Sequence, residues 1–329
     1  MLLAKINGLK AKAKNYSTRT KLGRFKFLQI AKAYYTISRM NNLPRWRSYV
    51  ALLRLHQPIG LFLLLWPTLW ALWIASAGAP PFKSVALFTL GTLLTRSLGC
   101  VINDIADRKL DGFVARTRQR PLVTGRVNLK EAKLLFIVLA TLALLVVLQF
   151  NFLTIKLAGL GLLLICIYPY TKRYTYWPQL FLGLIFGAWS ILMAFAAQTG
   201  KIPTIAWLVF MAGYLWCLAY DTIYAMVDRE EDRQIGIKSS ALALDRYDVL
   251  FIAVVESVFV LLLILIGTRL HLHFAYYSML ILVVGLLCYQ HYLIKDRKPA
   301  ACFRAFLNNA WIGALIFLGF FLSLHGGAV

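Results

Sequence analysis

The chain has 329 residues, 60% of them hydrophobic and only 15% charged, with a mean hydropathy of +0.69. That is too apolar for a water-soluble domain of this length and marks an integral membrane protein. The formal charge of +23 does not mark a nucleic-acid binder: twelve of the 36 Lys and Arg lie in residues 1–49, and most others occupy short segments between apolar runs.

Residues 1–49 hold no acidic side chain. They read as a basic extension on a membrane domain covering 50–329. A transit peptide, a membrane-surface segment and an extension upstream of an internal start at Met40 are the alternatives. Nine apolar runs long enough to cross a bilayer follow, near 57–77, 84–102, 133–150, 153–171, 178–197, 204–224, 249–268, 273–293 and 304–324. No alternating strand pattern recurs, and backbone in lipid must satisfy its own hydrogen bonds, so the fold expected is all-α.

Lys and Arg crowd the segments after the second, fourth, sixth and eighth runs. The opposite connections carry one each, Lys83, Lys156, Lys201 and Arg269. By the positive-inside rule the N-terminus is cytoplasmic, in a bacterial inner membrane or, given the basic extension, a mitochondrial one. The five cysteines show no metal-ligand spacing and read as small hydrophobes.

The thirteen acidic residues are placed selectively. Apart from Glu256, all lie in or just before predicted cytoplasmic loops. One cluster is Asn103, Asp104, Asp107 and Asp111; another is Asp221, Asp228, Glu230, Glu231 and Asp232. Asn103, Asp107 and Asp111 recur every four residues, as do Tyr224, Asp228 and Asp232, so on helices leaving the membrane each set shares a face. Both clusters contain Asp-Arg-x-x-Asp, at 107–111 and 228–232, which suggests a degenerate duplication of a four-helix module with a ninth helix added. Stacked like charges need neutralising. Oxygen donors without His or Cys select a hard cation, and Mg²⁺ takes a carboxylate or two, waters and phosphate oxygens. The implied ligand is a diphosphate.

Basic side chains beside the clusters complete this picture. Arg116 and Lys238 follow the two motifs and are placed to clamp diphosphate oxygens. Tyr168 and Lys172, four apart at the end of the fourth run, form a further pair. Arg96 lies inside the second run, where an arginine costs about 2.5–3.5 kcal/mol unless it faces a cavity. Arg54 lies at the entry to the first run, and either arginine is a candidate to meet an anionic acceptor.

Asn103-Asp-x-x-Asp107-x-x-x-Asp111 with Arg116-Thr-x-x-Arg120-Pro121 resembles the first aspartate-rich motif of the UbiA-type intramembrane prenyltransferases. Asp228-x-x-x-Asp232, preceded by Tyr220-Asp221-Thr-Ile-Tyr224, is similar to the second, and Tyr168-x-x-x-Lys172 to the family's tyrosine-lysine motif. The resemblance implies a nine-helix bundle around a central cavity open to the cytoplasm and to lipid. It also implies Mg²⁺-dependent transfer of a polyprenyl group from its diphosphate to the ring carbon ortho to the hydroxyl of 4-hydroxybenzoate, in ubiquinone biosynthesis. The metal ligands are then Asn103, Asp104, Asp107, Asp111, Asp228 and Asp232, with Asp221 a candidate to take the ring proton. A different quinone or haem acceptor is the nearest alternative. A secondary transporter is a remoter one, because the acids lie at helix mouths on one side.

Overall fold

The structure, a computed structural model, describes residues 44–325 apart from 110, 114–116 and 172. Arg116 and Lys172 lie outside the described residues. Contacts divide the chain into two units, Met1–Val50 and Ala51–Val329. The described part of the first is the start of helix α1 (Arg45–Leu52).

The second unit is all-helical among its described residues. Its long elements are α2 (Ile59–Ala75), α3 (Phe82–Asp107), α4 (Leu129–Val147), α5 (Phe152–Thr171), α6 (Pro178–Thr199), α7 (Thr204–Ile235), α8 (Asp248–Arg269), α9 (Phe274–Ile294) and α10 (Pro299–His325). Among the described residues, seven helices are long and apolar enough to cross a membrane: α3, α5, α6, α7, α8 with its short lead-in, α9 and α10. The protein is a multi-pass membrane protein. α2 is shorter, at 17 residues, and α4 opens with Lys130, Glu131 and Lys133.

Local chemistry sets the ends. Asn128 and Glu131 exchange side-chain and backbone hydrogen bonds of 2.9 Å in a capping box. This starts α4 at residue 129, four residues before its apolar run. Gly200 and Gly236 close α6 and α7 in the left-handed region, at φ 69° and 77°, which costs glycine nothing. α3 and α7 outlast their apolar runs, reaching Asp107 and Ile235, because the aspartate-rich segments simply continue the helix. Asp111 departs from expectation: α3 stops at Asp107, and Asp111 sits in the following turn, its N–H donating to the Asp107 carbonyl at 2.9 Å.

The core is aromatic. Trp70 and Trp216 are fully buried with ring centroids 5.2 Å apart; Trp70 Nε1 donates to the Gly313 carbonyl and Trp216 Nε1 to Asn309 Oδ1. Asn309 thus joins helices rather than lining a cavity. Buried Glu256, unexplained by sequence, meets His291 Nε2 at 2.8 Å.

α6 contains a π-helical turn, Gly183–Ala188, where it crosses α7. A Cβ on Gly187 would stand 2.4 Å from Cys217 Cβ and 2.7 Å from the Gly213 carbonyl oxygen, so the backbones approach as only small residues allow. Gly187→Ala is therefore expected to cost about 1–3 kcal/mol, read as a lower thermal unfolding temperature in detergent. An unchanged temperature would show that the crossing can widen freely.

Candidate active site

Three segments converge at one end of the second unit. The first is the end of α3. Carboxylates at a helix C-terminus oppose the macrodipole, so Asp104 and Asp107, with Asp111 just beyond, need compensation. Arg54 supplies part of it, donating to Asp104 through Nη2 at 2.7 Å and Nη1 at 3.3 Å. Arg120 supplies more, its Nη1 lying 3.0 Å from Asp104 Oδ1 and 2.7 Å from Asp111 Oδ2. Asp104 is 1% exposed, so this is a buried network of two carboxylates and two guanidiniums.

Arg96 supports that network from behind. Its Nη1 donates to the carbonyls of Leu53 and Arg54 at 3.1 and 2.8 Å, and its Nη2 to that of Gln57 at 2.8 Å. These bonds stabilise a turn in which Arg54 has φ of 55°, a strained value for a side chain of that size. The guanidinium lies so close to Gly60 that a Cβ there would meet Nη2 at 2.9 Å. Arg96 in this structure faces backbone carbonyls rather than a cavity, and it positions Arg54.

The second segment is the end of α7, where Tyr220, Asp221, Tyr224, Asp228 and Asp232 ride one unbroken helix, as their spacing predicts. Gly236 and Ile237 cap it by donating to the Asp232 carbonyl at 2.9 and 3.0 Å. Arg229, beside Asp228, is drawn to Asp248. Arg297 reaches the same carboxylate, with Nη2 2.8 Å from Asp248 Oδ1, and donates through Nη2 to the Arg246 carbonyl.

The third segment is the end of α5. The Tyr168 ring stands edge-on to Phe186, centroids 6.1 Å apart, with its phenol within electrostatic reach of Asp107, Asp221 and Tyr224. Arg173 Nη2 donates to the Ala106 carbonyl at 2.8 Å, which ties this segment to the first. Lys238 Nζ donates to the Tyr174 carbonyl at 3.3 Å and lies 5.3 Å from the Tyr176 ring, which ties it to the second.

Among the described residues no three His, Cys, Asp or Glu side chains form a ready-made metal cage. The donor set still fits Mg²⁺, which uses few protein carboxylates and keeps places for water and phosphate. Asn103, Asp104 and Asp107 on α3, Asp111 just beyond it, and Asp228 and Asp232 on α7 are oxygen donors of this kind, Asp104 and Asp111 being paired with arginines in this structure.

Residues 64–324 match the UbiA prenyltransferase family. The chain belongs to this family. It is 50% identical over 275 residues to a 4-hydroxybenzoate octaprenyltransferase of Coxiella burnetii, covering 84% of this chain and 96% of that one. The fold is similar to that of a UbiA homologue from Aeropyrum pernix K1, with a TM-score of 0.69 at 23% identity over 79% of this chain and 96% of that one. It is also similar to a UbiA homologue from Archaeoglobus fulgidus bound to GPP and Mg²⁺, with a TM-score of 0.67 at 18% identity over 84% and 99%.

In this UbiA-family chain, sequence reasoning quoted Arg120 only as part of a motif and gave no role to Arg229, Asp248 or Arg297. Asp248 had one usable signal, since acids are scarce here and it opens a span. The pairing of residue 54 with 104, or 248 with 297, has no signature in local spacing.

Proposed function

We propose that the chain transfers a polyprenyl group from its diphosphate to the ring carbon ortho to the hydroxyl of 4-hydroxybenzoate, a Mg²⁺-dependent step of ubiquinone biosynthesis. One observation carries the reading: the end of α5 is hydrogen-bonded to both acidic segments, Arg173 to the Ala106 carbonyl at 2.8 Å and Lys238 to the Tyr174 carbonyl at 3.3 Å. The 50% identity to a relative of that name supports the acceptor.

Asn103, Asp107, Asp111, Asp228 and Asp232, with Asp104 beside them, are the candidates to hold magnesium. Bound there, the ion supplies positive charge that neutralises the diphosphate and favours its departure. The chain's own cations add to this, Lys238 with Arg116 and Lys172 meeting phosphate oxygens as charge builds on the leaving group. Tyr168, half-buried and aromatic, lines the space where the allylic carbon becomes cationic, and its ring face favours that charge. Arg54 is the candidate to meet the acceptor's carboxylate, held in place by Arg96. After the phenol ring attacks, Asp221 is the candidate to take the proton whose loss restores aromaticity.

The Lys and Arg distribution supports nine crossings, a cytoplasmic N-terminus and a site on the cytoplasmic side. The bacterial relatives support an inner-membrane location, with 1–49 an extension outside the catalytic domain. Purified protein given 4-hydroxybenzoate, a polyprenyl diphosphate and Mg²⁺ is expected to form the prenylated acid, and to form none with EDTA. Product from a different aromatic acceptor, and none from this acid, would reject the substrate while keeping the donor site.

A further inference from the structure

The last two turns of α7 set cations among the aspartates of the second motif. In Asp228-Arg-Glu-Glu-Asp-Arg233 two arginines alternate with four carboxylates. Arg229 stands three residues before Asp232, and side chains three apart on a helix are neighbours, with about 5–6 Å between their Cβ atoms. A guanidinium so placed can reach a carboxylate that the magnesium site needs. The structure turns both arginines elsewhere. Arg233 pairs with Glu230 at 3.3 Å and lies 4.0 Å from Asp245. Arg229 pairs with Asp248, the first residue of α8.

Asp248 is well made to hold that charge. It is fully buried, and its Oδ1 accepts the Val249 N–H at 2.7 Å in the first turn of α8, where the helix dipole favours a carboxylate. Arg297, from the α9–α10 connection, donates to the same oxygen through Nε at 3.0 Å. Arg229 is only 12% exposed, so its guanidinium is partly desolvated and needs a counter-charge. Its Nε is buried without an acceptor among the described residues, which leaves it a donor to spare.

We propose that Asp248 is a positioning residue for the second metal motif: by binding Arg229 it keeps that guanidinium off Asp232 and leaves the motif's carboxylates to magnesium. This role rests on the magnesium site proposed above. With Asp248 neutral, Arg229 turns to Asp232, and an incoming cation must displace it. A purely structural Asp248 would behave differently. Arg229 and Arg297 share its carboxylate, so removing either one alongside it would have the same consequence.

That difference is the test. Mn²⁺, which takes the same oxygen ligands as Mg²⁺, is titrated into the full chain in detergent, and the free ion is followed by electron paramagnetic resonance. Wild type is compared with Asp248→Asn and with two double variants that add either Arg229→Gln or Arg297→Gln. Asp248→Asn is expected to weaken Mn²⁺ binding about tenfold, between the effects of a surface pair and a buried one. Adding Arg229→Gln should restore affinity to within about threefold of wild type, the scale of a surface charge. Adding Arg297→Gln should leave the loss in place. The Mg²⁺ concentration for half-maximal prenyl transfer should follow the same order. The Arg297→Gln double variant removes one of the two stranded charges, so it carries the comparison if Asp248→Asn alone does not fold. Equal affinity in the two double variants, or wild-type affinity in folded Asp248→Asn, overturns the proposal. So does a wild-type chain that takes up no Mn²⁺, because the metal site itself then fails. A wild-type chain that binds Mn²⁺, with variants in the expected order, but transfers nothing refutes the transferase reading and leaves the role of Asp248 standing.

Discussion

Changing Asp107 or Asp228 to asparagine is expected to lower prenyl transfer by about a hundredfold to a thousandfold, the scale on which one preorganised electrostatic contact acts. Asparagine keeps the volume and one oxygen of aspartate and removes only the charge, so the loss reports the carboxylate's electrostatic work. Asp107 is buried on the last turn of α3, one turn beyond Asn103, and Asp228 occupies the corresponding face of α7. The end of α5 is hydrogen-bonded to both segments, through Arg173 to the Ala106 carbonyl and through Lys238 to the Tyr174 carbonyl. Losing either motif alone should therefore be enough. The check is the initial rate at saturating donor and Mg²⁺, with thermal unfolding on the same preparation. A folded variant working within threefold of wild type would remove that aspartate from the site.

The largest stability effect is expected at Asp248. It is fully buried and sits between Arg229 and Arg297. Removing one member of a buried ion pair leaves the others as uncompensated charge, at a cost of about 3–5 kcal/mol. The lower end applies here because Arg297 is 35% exposed and water offsets part of its loss. Asp248→Ala should therefore lower the unfolding temperature sharply. Asp296→Ala, whose carboxylate meets Lys298 at 3.6 Å with both groups mostly in solvent, should change stability by no more than about 0.5 kcal/mol. Equal effects of the two changes would show that burial does not set the strength of the Asp248 network.

Much of this architecture was legible in the sequence because it depends on local pattern. Apolar runs marked the helices, and four-residue spacing placed Tyr224, Asp228 and Asp232 on one face of α7. The same spacing failed at Asp111. There α3 has already ended, and the side chain is placed by Arg120 rather than by helical periodicity. Arg96 illustrates a different gap. Its depth correctly signalled a special environment, but depth alone does not separate a ligand-facing arginine from one that caps a turn of carbonyls. The arginine networks were hidden for the same reason: each joins residues about fifty positions apart, and a single sequence carries no mark of such a meeting. The π turn in α6 was equally silent, since Gly183 and Gly187 read as ordinary small residues in an apolar run.

The two arginine–aspartate networks also differ in when they can come into being. The first draws on residues 54, 104, 111 and 120, and all its partners exist once the chain has been made as far as Arg120. The second needs residues 229, 248 and 297, and it waits for Arg297, which immediately precedes the last helix. Because segments made first can fold first during synthesis, one mouth of the site can set while most of the bundle is still on the ribosome. The other cannot lock until Arg297 has been made, so the two networks form in a fixed order along the chain.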